Sequence, residues 1–309
     1  MRLPFPIFCI ALLLATLPAR SQSYGLTAED LERIDQLEDT IALLSYAVIN
    51  DSLPEHRFGA TKKLIPTLVE ALKIPNSFHY PFPRVQSISI QYPADSSFRI
   101  FTWQLYVDVD EYRYYGAIQL NSPELQLFPL IDRSASIADV ETDLLKPENW
   151  YGALYYKIHQ FEGPQGRQYL LFGFDGYSFF NRRKLVEVLH FEEGQPFFGS
   201  GVFIEEDPER GTIVHQRLVK EYSAEASIKL NYDPLLDAII FDHLILLGGS
   251  EEQGPTYVPD GSYEGYRLDG GYWRHVPKMF DTVVDEAPRP EPILDDKSKD
   301  IFGRKKDGQ

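Results

Sequence analysis

Between Gln168 and Phe203 the chain reads QYLLFGFDGYSFFNRRKLVEVLHFEEGQPFFGSGVF, and this stretch constrains the fold more than any other. A first apolar run stops at Phe174-Asp175-Gly176. A second, Leu185 to Phe191, alternates apolar with polar, and Glu193-Gly194-Gln195 turns the chain into a third run from Phe197. Short β-type runs separated by glycine-containing turns are the pattern of an antiparallel meander. The 19 Tyr and 20 Phe of the chain favour strands over helices.

Upstream the period is helical. Thr27 can cap a helix whose apolar stripe is Leu31, Ile34, Leu37, Ile41, Leu44 and Val48. Glu32, Arg33, Asp35, Glu38 and Asp39 fill its opposite, charged face. A second helix is expected from His56 to Leu72, with Pro66 kinking or restarting it. From Phe78 the period becomes two. Phe98–Val109, Arg113–Leu120, Leu125–Ile131 and Tyr151–Phe161 read as strands, with one helical insertion at Ser136–Leu145. Thr212–Tyr222 and the alternating Ala226–Tyr232 follow. Ala238–Leu247 is apolar enough for a central strand, although Asp242-His243 interrupts it, and Tyr263–Val276 reads as a last hairpin around Asp269-Gly270-Gly271.

The expected fold class is therefore mainly β: a large antiparallel meander of roughly a dozen strands, as a twisted sheet, a sandwich or an open barrel, with two N-terminal α-helices. Residues 1–21 are expected to be a signal peptide, with Arg2 as its charged start and Ile7–Leu17 as an apolar run too short to span a bilayer. Cys9 lies inside that run, so a lipid-anchored cysteine is not expected. Residues 22–76 are assigned to the helical segment packed on the β domain and 77–280 to the β domain. Residues 281–309, rich in Pro and charge, form an expected disordered tail. Export to the periplasm or cell exterior follows. Removing Arg2 and Arg20 with the signal takes the formal charge from −16 to −18. No nucleic-acid partner is expected at such a charge, nor is a membrane-embedded form, because the strands lack lipid-facing aromatic girdles.

The motifs SFRIFTWQLY, YYGAIQL, YLLFGFDGYSFFNRRKLVEVLHF, EYSAEASIKLNYD, IIFDHL and YVPDGSYEGY together resemble an uncharacterised family of secreted proteins from Bacteroidota-type bacteria. The resemblance covers most of residues 75–276. It implies export and brings no activity, cofactor or catalytic residue. The first loop in that family more often reads Gly-Trp-Asp-Gly-Asn, whereas this chain has Gly173-Phe174-Asp175-Gly176-Tyr177.

Chemical motifs are sparse. Seven histidines stand singly, without metal-ligand spacing, and no metal or cofactor is expected. Asp108-Val109-Asp110-Glu111 starts like a calcium loop but lacks its later Gly and Glu, so a solvated hairpin turn is the better reading. Gly199-Ser200-Gly201 lacks the nucleophile elbow. Trp103, Trp150 and Trp273 could stack on sugars, but packing is the commoner role. Asp175 and Asp260 suit tight turns before glycine, and Asp242-His243 needs partners if buried. These four residues, Asp175, Asp242, His243 and Asp260, form the candidate ligand cleft. Thr40, Ser52 and Thr282 match a short Asp-Ser/Thr-apolar signal for O-glycosylation in exported proteins. The expected role is that of a non-enzymatic extracytoplasmic binding or structural protein, with an envelope protein or a glycan as partner. The alternative is a secreted hydrolase acting on envelope or polysaccharide material through a carboxylate pair about 5–10 Å apart.

Overall fold

The computed structural model describes residues 25–248 and 254–280. The expected signal peptide, the tail 281–309 and Thr282 lie outside the described residues. Two helices come first, α1 (Ala28–Asn50) and α2 (Pro54–Leu72). The first strands are β1 (Ser89–Gln91), β2 (Phe98–Asp108), β3 (Glu111–Leu120) and β4 (Leu127–Ile131), followed by β5 (Leu154–Gly163), β6 (Gly166–Asp175), β7 (Asn181–Glu192) and β8 (Gln195–Phe198). Then come β9 (Phe203–Asp207), β10 (Gly211–His215), β11 (Arg217–Ser223), β12 (Leu230–Asp233), β13 (Ala238–Leu247), β14 (Thr256–Asp269) and β15 (Tyr272–Val276).

The strands form three sheets. The first has the order β1-β2-β3-β4. The second is β11-β7-β6-β5, with β8 also on β7, and the third is β10-β9-β15-β14-β13-β12. Neighbouring strands run antiparallel except β9 and β15, which are parallel. Among the described residues, none of the sheets closes into a barrel.

Period-two alternation stacks the layers. Phe101, Trp103 and Leu105 of β2 join one core with Ile34, Ile41, Leu64 and Leu68 of the helices. Phe98 and Ile100 point the other way, into a second core shared with Leu171, Leu185 and Leu189 of the second sheet. Leu170, Phe172, Val186 and Val188 leave the far face of that sheet and meet Phe203, Ile239, Phe241 and Trp273 of the third. The order is thus helices, first sheet, second sheet, third sheet. The second sheet is covered on both faces, which explains why β6 carries a continuous apolar run, Tyr169–Phe172, and why β7 is buried from Leu185 to His190.

That cover corrects the alternation expected of Leu185–Phe191. Glu187 is fully buried and His190 nearly so. Glu187 pairs with Arg217 of β11 at 2.6 Å, both side chains being 0% exposed, and accepts the Tyr155 hydroxyl. The charged face expected of α1 is also partly covered. Glu38 is buried and accepts the Tyr80 hydroxyl and the Arg84 N–H, each at 2.6 Å.

Thr27 does open α1. Its hydroxyl accepts the Asp30 N–H while the Asp30 carboxylate reaches back, a reciprocal capping box. Pro66 does not restart α2, which runs unbroken from Pro54 to Leu72. Ser136–Leu145 is not a helix. Its carbonyls are drawn off by neighbours: Val140 and Asp143 accept from Arg217, and Glu141 accepts the Gln216 N–H at 2.8 Å. The Asp139 carboxylate meanwhile takes the N–H of Glu141 and Thr142.

Ala226–Tyr232 alternates in burial, but its ladder begins only at Leu230. β13 is central over its first half alone. β12 flanks Ala238–Phe241, whereas among the described residues Leu244–Leu247 pair only with Thr256–Pro259, leaving Ile245, Leu246 and Leu247 exposed. Among the described residues, no helix is long and apolar enough to cross a membrane.

Candidate functional site

The β6–β7 connection is built on Asp175, the last residue of β6, which is 5% exposed. Its Oδ1 accepts the Tyr114 hydroxyl at 3.0 Å and the Tyr177 N–H at 2.9 Å; its Oδ2 accepts the Tyr151 hydroxyl at 2.7 Å. The Tyr114 hydroxyl in turn accepts the Gly176 N–H at 2.7 Å. Arg183 at the start of β7 donates to the Tyr151 hydroxyl at 3.2 Å and is held by Glu221 at 2.8 Å. The Arg183 guanidinium also lies over the Tyr177 ring, 3.4 Å from its centroid.

Backbone constraints complete the loop. A side chain at Gly176 would meet the Tyr112 ring at 2.9 Å, so glycine is required by close approach. The left-handed residue is Tyr177, at φ +51°, an uncommon state held by the Asp175 carboxylate on its N–H. From the hairpin turn between β2 and β3, Asp110 accepts the Phe179 N–H at 2.7 Å. The turn read as merely solvated thus braces the loop. The result is a row of exposed aromatics, Tyr177, Phe179 and Phe180, of which Phe179 is 60% exposed. Beside Tyr177 opens a pocket of about 220 Å³, lined among others by Asp110, Glu111, Tyr112, Tyr151 and Arg183.

Burial raises the Asp175 pKa above the ordinary carboxylate value, against its three hydrogen bonds and the Arg183 charge, which lower it. Burial, and then the Asp175 charge, raise Tyr114 and Tyr151 far above the usual phenol range. Burial opposes the Arg183 charge, but Tyr151 and Glu221 outweigh it and raise its pKa. Near neutral pH the tyrosines therefore stay protonated as donors. Both Asp175 oxygens are occupied by protein groups, which fits a carboxylate that fixes the loop.

The other three residues expected in the cleft lie elsewhere. His243 and Asp260 do meet: His243 Nδ1 is 2.8 Å from Asp260 Oδ2. Asp260-Gly261 is not a turn. It lies inside β14, in an irregularity opposite His243, with Gly261 at φ +90°. This bulge aims Asp260 across the ladder. The Ser262 hydroxyl and N–H, and then His243, hold the Asp260 pKa down to about 2. His243 Nε2 lies 3.5 Å from Glu264, whose other oxygen is 2.8 Å from His275 Nε2. Burial works to raise the Glu264 pKa, but the His275 hydrogen bond and the Lys220 charge bring it below the ordinary value. Asp242 has a different partner and accepts the Lys229 N–H. Asp175 shares no hydrogen bond or ion pair with these three among the described residues, and none of them lines its pocket.

Among the described residues, no group of three or more His, Cys, Asp or Glu could hold a metal ion. Of the serine and threonine candidates for glycosylation, Ser52 is exposed between the helices and Thr40 is exposed on α1. The sequence reading missed Tyr114, Tyr151, Arg183 and the Phe179-Phe180 pair. Adjacent aromatics between two strand runs, where a turn should be polar, were the available signal. No family model matches the chain, and comparison with curated proteins and with solved structures finds no match either.

Proposed function

We propose that the protein is exported and works outside the cytoplasm as a binding protein, taking a glycan on the Tyr177–Phe180 loop and in the pocket that Tyr177 lines. One observation carries this reading: a row of exposed aromatics is locked in place by a buried polar network instead of being folded into the core. Large apolar side chains held in water mark contact surfaces. Rings beside hydrogen-bonding groups suit a ligand with one apolar face and many hydroxyls. Here Arg183, Asp110 and Glu111 are the polar groups nearby. The test is calorimetric titration of the protein with oligosaccharide fragments of bacterial envelope and capsule polymers. Saturable binding is expected, weakened about tenfold in Phe179→Ala, the equivalent of ~1.4 kcal/mol. Unchanged binding in that variant would remove the loop from the account.

A second reading, a hydrolase acting on the same material, is favoured by the raised pKa of Asp175 in a pocket with Asp110 and Glu111 at its rim. Its test is cleavage of those oligosaccharides that is lost in Asp175→Asn.

A further inference from the structure

The pocket that Tyr177 lines does not stand alone. A second pocket, of about 370 Å³, adjoins it, and the two share Glu111, Tyr112, Ser134 and Ala135. A third, of about 340 Å³, adjoins it through Arg183 and shares no lining residue with the second. Arg183 stands at that junction, donating to Tyr151 of the first pocket and pairing with Glu221 of the third. The three form one groove with the Tyr177 pocket in the middle.

A single segment walls all of it. Ser134 and Ala135 line the first two pockets, and residues 138–141 line the third. The segment is pinned at both ends. Asp132 accepts the Tyr114 N–H of β3 at 2.8 Å, and the Glu141 carbonyl accepts the Gln216 N–H at 2.8 Å. Arg217 of β11 donates to the carbonyls of Val140 and Asp143. The ties that deny 136–145 its helix thus lay it down as the bank of a groove.

Size and charge bound the occupant. A cavity of about 150 Å³ holds a benzene ring, so each pocket has room for at least one six-membered sugar ring. The groove carries both signs of charge, and they pair off: Arg113 with Glu111 at 3.6 Å, and Arg183 with Glu221 at 2.8 Å. No cationic track is left for a polyanion, which the formal charge of −16 would also repel.

We propose that the groove binds a neutral, linear polysaccharide along its length, with at least one sugar unit in each of the three pockets. This rests on the glycan reading above and adds to it the length and charge of the ligand. Tyr112 and Tyr177 offer ring faces in the middle, while Ser134 and Ser136 offer hydroxyls along the bank.

The test titrates malto-, cello-, xylo-, manno- and chito-oligosaccharides of one to six units into the full-length protein by calorimetry. Affinity for one of these series should rise about tenfold with each of the first three units. Ser136→Trp and Ala138→Trp place an indole at exposed positions of the second and third pockets. Each should remove one such step from the affinity of the longest oligomer. An affinity independent of length would overturn the proposal and leave the glycan reading standing. So would a full gain with length in both tryptophan variants. Tighter binding of an oligogalacturonate of equal length would overturn the choice of a neutral chain. Failure of every neutral series to bind would overturn the proposal as a whole, and the envelope and capsule oligosaccharides would then decide the glycan reading on their own.

Discussion

Asp175 and Asp260 each precede a glycine, yet their surroundings push them in opposite directions. Asp175 is buried and its pKa is raised; Asp260 is exposed, and Ser262 and His243 hold it down to about 2. The signs of their contributions to stability differ accordingly. A raised carboxylate contributes stability that is present below its unfolded value, near 3.8, and is lost as pH rises through its folded value. A lowered one contributes above 3.8, and that stability is lost as pH falls towards 2. Melting temperatures of wild type minus Asp175→Asn should therefore decrease as pH is raised above 3.8. The same difference for Asp260→Asn should decrease as pH is lowered below it, and by a small amount because the site is solvent-screened. Parallel slopes would contradict these assignments. Both aspartates were visible in the sequence as Asp-Gly pairs. Their partners were not: Tyr114 lies 61 positions from Asp175, and no local pattern links them.

Local signals located elements well where the backbone was free to follow them. The capping box at Thr27 and the turn at Gly270-Gly271 needed nothing but neighbours in sequence. They failed where distant groups compete for the backbone. Ser136–Leu145 has helical spacing, but Arg217 and Gln216 take the carbonyls that a helix would use. Arg217 is thus the pin between this segment and β7. Removing one partner of a fully buried ion pair leaves the other uncompensated, so Arg217→Met or Glu187→Gln should each cost about 3–5 kcal/mol in urea denaturation. The double change Arg217→Met with Glu187→Leu should recover part of that loss. In α2, Pro66 is exposed and the helix continues through it. Pro66→Ala should restore a hydrogen bond without opening a cavity and stabilise the protein by about 1–3 kcal/mol.

Across the whole molecule, the mainly β class and the two leading helices were legible from period alone, but the stacking was not. Alternation tells which residues share a face; it does not tell whether the opposite face is wet or covered. Glu187 and His190 interrupt the apolar run of β7 as exposed polar residues would, yet both are buried in the second sheet. The stack also carries its own probes, because Trp103, Trp150 and Trp273 each belong to a different one of the three cores. Single-tryptophan variants should report coincident urea transitions if the layers unfold together; separated midpoints would show layers that unfold independently. The proposed role rests on the loop that this stack holds out to solvent. One measurement tests it most directly: the protein is incubated with envelope oligosaccharides and followed by mass spectrometry for both complex and products. The binding account predicts a complex with intact glycan that is about tenfold weaker in Phe179→Ala. Cleavage products that vanish in Asp175→Asn, or no complex with any glycan, would contradict it.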